Sequence, residues 1–205
     1  MPLLLPALAA ATALATPGMA QSDLPGLVTA EEYPAEALTT GKSAAATIEI
    51  RVDPYGRPIG CRVAAVVGDA SLGNSICEIA MRKRYFAARL LDGAPAHAQV
   101  TTTVRLWVPG SPDADKVAAV QPGPDYDVRV APAADTPPLT DVRMVLQVSR
   151  KGAVTQCGAK DESQADLARA ICKARTIFRT GPLQDERGQP VPYVTEATVR
   201  IHAGA

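Results

Sequence analysis

Four cysteines, two histidines and a scatter of carboxylates are the residues of this 205-residue chain that carry chemistry. The cysteines fall in two pairs, Cys61 with Cys77 and Cys157 with Cys172, and no Cys-x-x-Cys occurs, so the spacing is not that of a thioredoxin-type redox site. Zinc needs about four clustered ligands, and His97 and His202 have no companion spacing, so no metal is expected. Nucleophile elbow, Walker loop, zinc-protease and dinucleotide fingerprints are all missing. The carboxylates sit on strand faces and turns. The expectation is therefore a protein that is not an enzyme, with no cofactor, no small-molecule substrate and cysteines used as structural disulfides.

The elements that position those cysteines come twice. Ile48 to Cys77 reads as strand, turn, strand, loop and helix, and Val142 to Cys172 repeats the order. Gly56 precedes Cys61 by five positions, as Gly152 precedes Cys157; Leu72 precedes Cys77 by five, as Leu167 precedes Cys172. Ile48, Ile50 and Val52 alternate with Glu49 and Arg51, the pattern of a half-buried strand. Asp53-Pro54-Tyr55-Gly56 is turn chemistry, with Pro fixing φ and Gly taking the left-handed position. Leu72, Ile76, Ile79, Ala80 and Phe86 are expected as one helix stripe, and Leu167, Ile171, Ala174 and Phe178 as its counterpart. Ser163 and Asp166 stand in capping-box register. Four cysteines allow three pairings, and the repeat selects Cys61–Cys77 and Cys157–Cys172, each tying a strand to its helix. A closed loop of about 15 residues removes about 3 kcal/mol of unfolded-chain entropy. That is a large share for a module of roughly 75 residues, near the size where a lone core is marginal.

The chain divides accordingly: 1–20 as a signal peptide, 31–109 as a first module, 110–138 as a Pro- and Asp-rich linker and 139–203 as a degenerate second module. Leu3 to Ala20 is apolar and ends in Gly18-Met19-Ala20, with small residues where a signal peptidase reads, although no Lys or Arg precedes the run. A cleaved leader would put the mature chain in the oxidising periplasm, where disulfides persist. Formal net charge is zero, which gives no electrostatic footprint for nucleic acid.

Read in order, Tyr33-Pro34, Val52-Asp53-Pro54-Tyr55-Gly56, Gly68-Asp69 with Leu72, Arg84 to Phe86, and Asp92-Gly93-Ala94-Pro95 resemble the periplasmic C-terminal domain of the TonB family. The likeness covers about residues 31 to 108 and is fainter in the second half, through Gly152, Leu167, Phe178 and Gly188-Gln189-Pro190-Val191. It departs from the family pattern where Ala30 and Glu31 replace the Gln and first Pro of a Q-P-x-Y-P stretch, and where the F-x-P-A ending becomes Phe86-Ala87-Ala88. The resemblance implies an α+β fold, here two small modules, each a three-stranded antiparallel sheet with one helix on a face. It also implies partners. In that family the edge of the last strand adds an extended peptide from an outer-membrane TonB-dependent transporter, a β-augmentation.

The corresponding edge here is Val100 to Val108, with Tyr33, Thr101, Thr103, Arg105 and Trp107 as candidate binding residues and Val194 to Ile201 as its second-module equivalent. Arg105 and Arg200 read equally as charges that blunt an open edge. Two other readings stand beside this one: a TonB-type energy transducer anchored by an uncleaved N-terminus, and a structural envelope protein whose modules pack edge to edge with no ligand site.

Overall fold

The computed structural model describes residues 29–130 and 139–203. The expected signal peptide and the end of the expected linker lie outside the described residues.

In the first half β1 (Ala44–Val52) runs antiparallel to β2 (Pro58–Gly68) on one side and to β4 (Pro95–Leu106) on the other. Ile48, Ile50 and Val52 are fully buried, as their alternation requires. The Asp53 side chain shapes the turn between β1 and β2. One carboxylate oxygen accepts the N–H groups of Tyr55 and Arg57, both at 2.8 Å, and the other accepts Arg57 Nε at 2.6 Å. Gly56 has φ +78°, and a Cβ there would fall 1.8 Å from the carbonyl oxygen of Tyr85, so only glycine fits.

A short helix, α1 (Ala35–Thr39), precedes β1. Helix α2 (Ala70–Ala80) is capped by Asp69, which accepts the Leu72 N–H at 2.8 Å, and it lays Leu72, Ile76 and Ala80 on the sheet. It ends earlier than the stripe to Phe86 predicts. Tyr85 donates its N–H to Gly56 at 2.9 Å, so the chain has left the helix to run beside the β1–β2 turn. Tyr85 therefore fills the core, while Phe86 is 73% exposed and Arg82 to Arg84 lie beyond the helix end.

The second half repeats this build. β6 (Leu139–Val148) lies between β7 (Val154–Ala159) and β10 (Tyr193–Ala203), both antiparallel to it, and α4 (Ala165–Lys173) packs against them. Val142, Met144, Leu146 and Val148 are buried. Gly152 has φ +81°, and a Cβ on it would meet Gly181 and Pro182 at under 3 Å, the counterpart of the Gly56 contact. The expected Ser163–Asp166 capping box does not form. Asp161 accepts the Ser163 N–H at 3.0 Å and opens a 3-10 turn, Glu162–Gln164, that leads into α4. Phe178 is buried, yet it follows a second 3-10 turn instead of lying on the helix.

Both disulfides join a strand to its helix: Cys61 to Cys77 with Cα atoms 5.6 Å apart, and Cys157 to Cys172 at 5.9 Å.

The expectation of two separate three-stranded sheets is corrected by the junction between the halves. The strands form one sheet in the order β2-β1-β4-β10-β6-β7, part of an eight-stranded assembly. β4 and β10 each leave one side of unpaired backbone groups, and they meet in parallel, Tyr193 with His97, Val194 with Ala98 and Thr195 with Gln99. Tyr193 and Val194 face opposite sides of β10; Tyr193 belongs to the core under α4 and Val194 to the core under α2. The two helices thus cover opposite faces of one sheet.

The expected linker is folded over its described part. α3 (Ala114–Ala118) buries Val117 beside Gly68, and β5 (Tyr126–Val130) adds in parallel to β10 at Val199–Ala203. Asp125 fixes the entry to β5, donating its N–H to the Thr198 carbonyl at 2.9 Å and accepting the Thr198 N–H at 2.7 Å. Three two-residue strands complete the pairing: β3 (Ala88–Arg89) on β4, and β8 (Leu183–Gln184) with β9 (Pro190–Val191). No helix among the described residues is long and apolar enough to cross a membrane.

Candidate functional site

Strand β4 is unequally used on its two sides. Toward β1 it pairs from Ala98 to Leu106. Toward the second half, Pro95 and Ala96 pair with β3, His97 to Gln99 pair with β10, and from Val100 to Leu106 no described strand lies beside it. The strands part because β10 takes another neighbour: beyond Thr198 its free side belongs to β5. A fork opens where they separate, holding a cleft of about 270 Å³.

The chemistry of the fork comes from both halves. Gln99 and Thr101 of β4, Glu49 of β1, and Tyr193, Thr195 and Glu196 of β10 line it, with Asp125, Tyr126 and Arg179 on its far wall. Each carboxylate is engaged: Glu49 with Arg62 at 2.6 Å, Glu196 with Lys160 at 2.6 Å, and Asp125 with the Thr198 N–H. The Arg179 backbone N–H donates to the Tyr126 hydroxyl at 3.0 Å, while its guanidinium makes no hydrogen bond or ion pair among the described residues. Tyr193 donates to the Gly181 carbonyl at 2.9 Å, and its phenol is pushed up to about 12, first by burial and then by Tyr126. Thr195 is 8% exposed, and its hydroxyl has only a long 3.4 Å contact to the Glu196 carbonyl.

The sequence-derived candidates separate here. Thr101 is exposed and lines the fork. The Thr103 hydroxyl bonds that of Thr47 at 2.9 Å across β1, and the Arg105 guanidinium donates to the Val120 carbonyl. Trp107 lies past the strand end, half-exposed, with its indole N–H on the Ala114 carbonyl at 3.1 Å. Tyr33 donates to the Lys42 carbonyl at 2.7 Å and packs on the first core, where it anchors the lead-in to β1. The second expected edge, Val194 to Ile201, is not an edge, since β10 has β6 on one side and β4 and β5 on the other. Arg179 and Asp125 escaped the sequence reading as site residues because no motif marks them, and Thr195 fell within the second expected edge; they meet only once the halves share a sheet.

The histidines lie apart. His97 sits on the seam opposite Tyr193, its imidazole held below its ordinary value by burial, against the pull of Asp185, Asp53 and Glu186. His202 bonds Asp127 at 2.7 Å. Among the described residues no group of three His, Cys, Asp or Glu side chains is placed to hold a metal ion.

The first half is an antiparallel three-stranded unit with one helix across a face, ending in a strand whose outer side is partly unpaired. The family model described as "Gram-negative bacterial TonB protein C-terminal" matches residues 29–106, which comprise the whole of that unit. Over these residues the chain is similar to that domain, and the second half lies outside the match. No curated protein and no solved structure matches the chain.

Proposed function

We propose that this chain is a periplasmic protein-interaction module that pairs an extended segment of another envelope protein along β4 from Val100 to Leu106. The observation that carries the reading is the unpaired side of that strand within the family-matched segment. Backbone donors and acceptors there supply affinity that is broad in sequence, and outer-membrane transporters of the TonB-dependent class are the partners that the family suggests. The second half is a related hairpin-and-helix module, consistent with its matching disulfide and turn glycine. It has become the neighbour of the first module's edge instead of a second free site. An N-terminal export signal, cleaved before Gln21, fits a protein held together by two disulfides.

Successive residues of a strand turn their amides to opposite sides, so Thr102→Pro and Thr103→Pro remove one amide that faces β1 and one that faces the open side. The variant that keeps the native melting temperature loses capture of envelope partners, and proline on the far edge at Arg62 leaves capture intact. Capture that survives both proline variants contradicts the reading.

A second reading, a structural envelope protein without a ligand site, is favoured by the pairing of β4 with β10 over His97 to Gln99. It predicts that neither proline variant alters any association.

A further inference from the structure

The fork is closed at one end. A chain laid on β4 from Leu106 toward Val100 runs into β10, which already occupies His97 to Gln99. An added strand therefore cannot continue along the sheet and has to stop in the cleft. The cleft has one uncommitted charge, because its three carboxylates are each engaged while the Arg179 guanidinium is free among the described residues. The buried Thr195 hydroxyl, with only its long contact to Glu196, is a second poorly satisfied polar group in the same cleft.

Taking β4 as the docking edge, we infer that the fork receives the C-terminal end of an extended polypeptide, lying antiparallel to β4 with its terminal carboxylate on Arg179. A terminus satisfies both conditions at once. It needs no room to continue, and it brings the anion that Arg179 lacks; the planar guanidinium matches a carboxylate through two parallel N–H donors. A free N-terminus arriving in the opposite direction would meet Glu49, Glu196 and Asp125, which are already paired, and would set its charge against Arg179.

The test uses the full chain with its disulfides intact and a randomised hexapeptide library prepared in two forms, with a free C-terminal carboxylate and with a C-terminal amide. The bound fraction is read by mass spectrometry and the affinities of selected members by fluorescence anisotropy. Carboxylate peptides are expected to bind about tenfold more tightly than their amides, as a charge-assisted contact warrants. In Arg179→Gln the difference disappears, and Arg179→Lys restores part of it. Arg179 is exposed, so the variants are expected to melt with the wild type.

Equal binding of both forms, abolished by the outward-facing proline variant, overturns the carboxylate site and leaves the docking edge standing. Preference for the amide form, or a carboxylate preference unaltered in Arg179→Gln, also overturns it. A library that shows no binding in either form overturns the site and the docking edge together.

Discussion

Gln99 on β4 and Thr195 on β10 are the last residues paired across the seam between the two halves; past them the strands diverge. The seam has three residue pairs, whereas the ladders beside it run from Ala98 to Leu106 on β1 and along nearly all of β10 on β6. Each half keeps its own helix, its own disulfide and its own core, with Val194 and Val145 reaching into the first. A short seam between two stapled units produces the fork, and the fork leaves one side of β4 without a described neighbour from Val100 to Leu106.

The disulfides are predicted to hold most of the margin of stability. The double variants Cys61→Ser/Cys77→Ser and Cys157→Ser/Cys172→Ser each lose about 3 kcal/mol, the chain-entropy value for loops of this length. Urea unfolding with and without reductant checks this, and wild-type protein in reductant, which loses both bridges, should be less stable than either variant in oxidising buffer.

The turn glycines rank by what surrounds them. Gly56 and Gly93 both have positive φ, but a Cβ at Gly56 meets the Tyr85 carbonyl whereas at Gly93 it meets open space. Gly93→Ala is expected to lose about 1–2 kcal/mol from left-handed backbone strain alone. Gly56→Ala should lose more, because the segment carrying Tyr85 has to move. Thermal melts of the two variants decide the order.

Asp53 predicts acid sensitivity. Burial raises its pKa, but the hydrogen bonds from Arg57 and Tyr55 and the Arg57 charge outweigh it, and the carboxyl sits below its ordinary 3.8. A depressed carboxylate stabilises the fold above the unfolded value, and that contribution is lost as pH falls below about 3.8 through the folded value. Asp53→Ala should be less stable at pH 7 by roughly 1–3 kcal/mol, from unsatisfied turn N–H groups. Its stability should also fall less steeply than the wild type's between pH 5 and pH 2, the range over which a depressed aspartate protonates, roughly.

Two tyrosines report on the two cores. Burial pushes Tyr85 up to about 12, and burial with Tyr126 does the same for Tyr193. The neutral phenols belong to the fold, so stability is full below the ordinary value of 10.0 and is lost as pH rises through the folded values. Ultraviolet titration should show both silent until near 12, and Tyr193→Phe should remove one of these two late-ionising groups.

How far the sequence foretold this molecule depends on how local each signal is. The strands around Ile48 and Met144, the turns at Gly56 and Gly152 and both cysteine pairings were legible because alternation, turn chemistry and repeat spacing act within a few residues. Phe86 was misplaced because helical spacing continues past Ala80 in the sequence, while the Tyr85–Gly56 hydrogen bond that ends the helix joins residues distant in the chain. The seam was illegible for the same reason. Nothing in His97 to Gln99 or Tyr193 to Thr195 marks them as mutual partners, and α3 forms in a Pro-rich stretch because the sheet supplies its contacts, whereas the alternation of Asp125 to Val130 already reads as the short edge strand β5. Of the five edge candidates, Thr101 lines the fork; Arg179 entered only with the tertiary structure.

The docking of an extended chain on β4 is tested most directly by placing a photo-crosslinking amino acid at Thr101 in living cells, with Arg62 on the far edge as control. The account predicts adducts from position 101 to the C-terminal segment of an envelope protein and none from position 62. Equal labelling from the two positions, or silence from 101 while the protein is folded and exported, would contradict it.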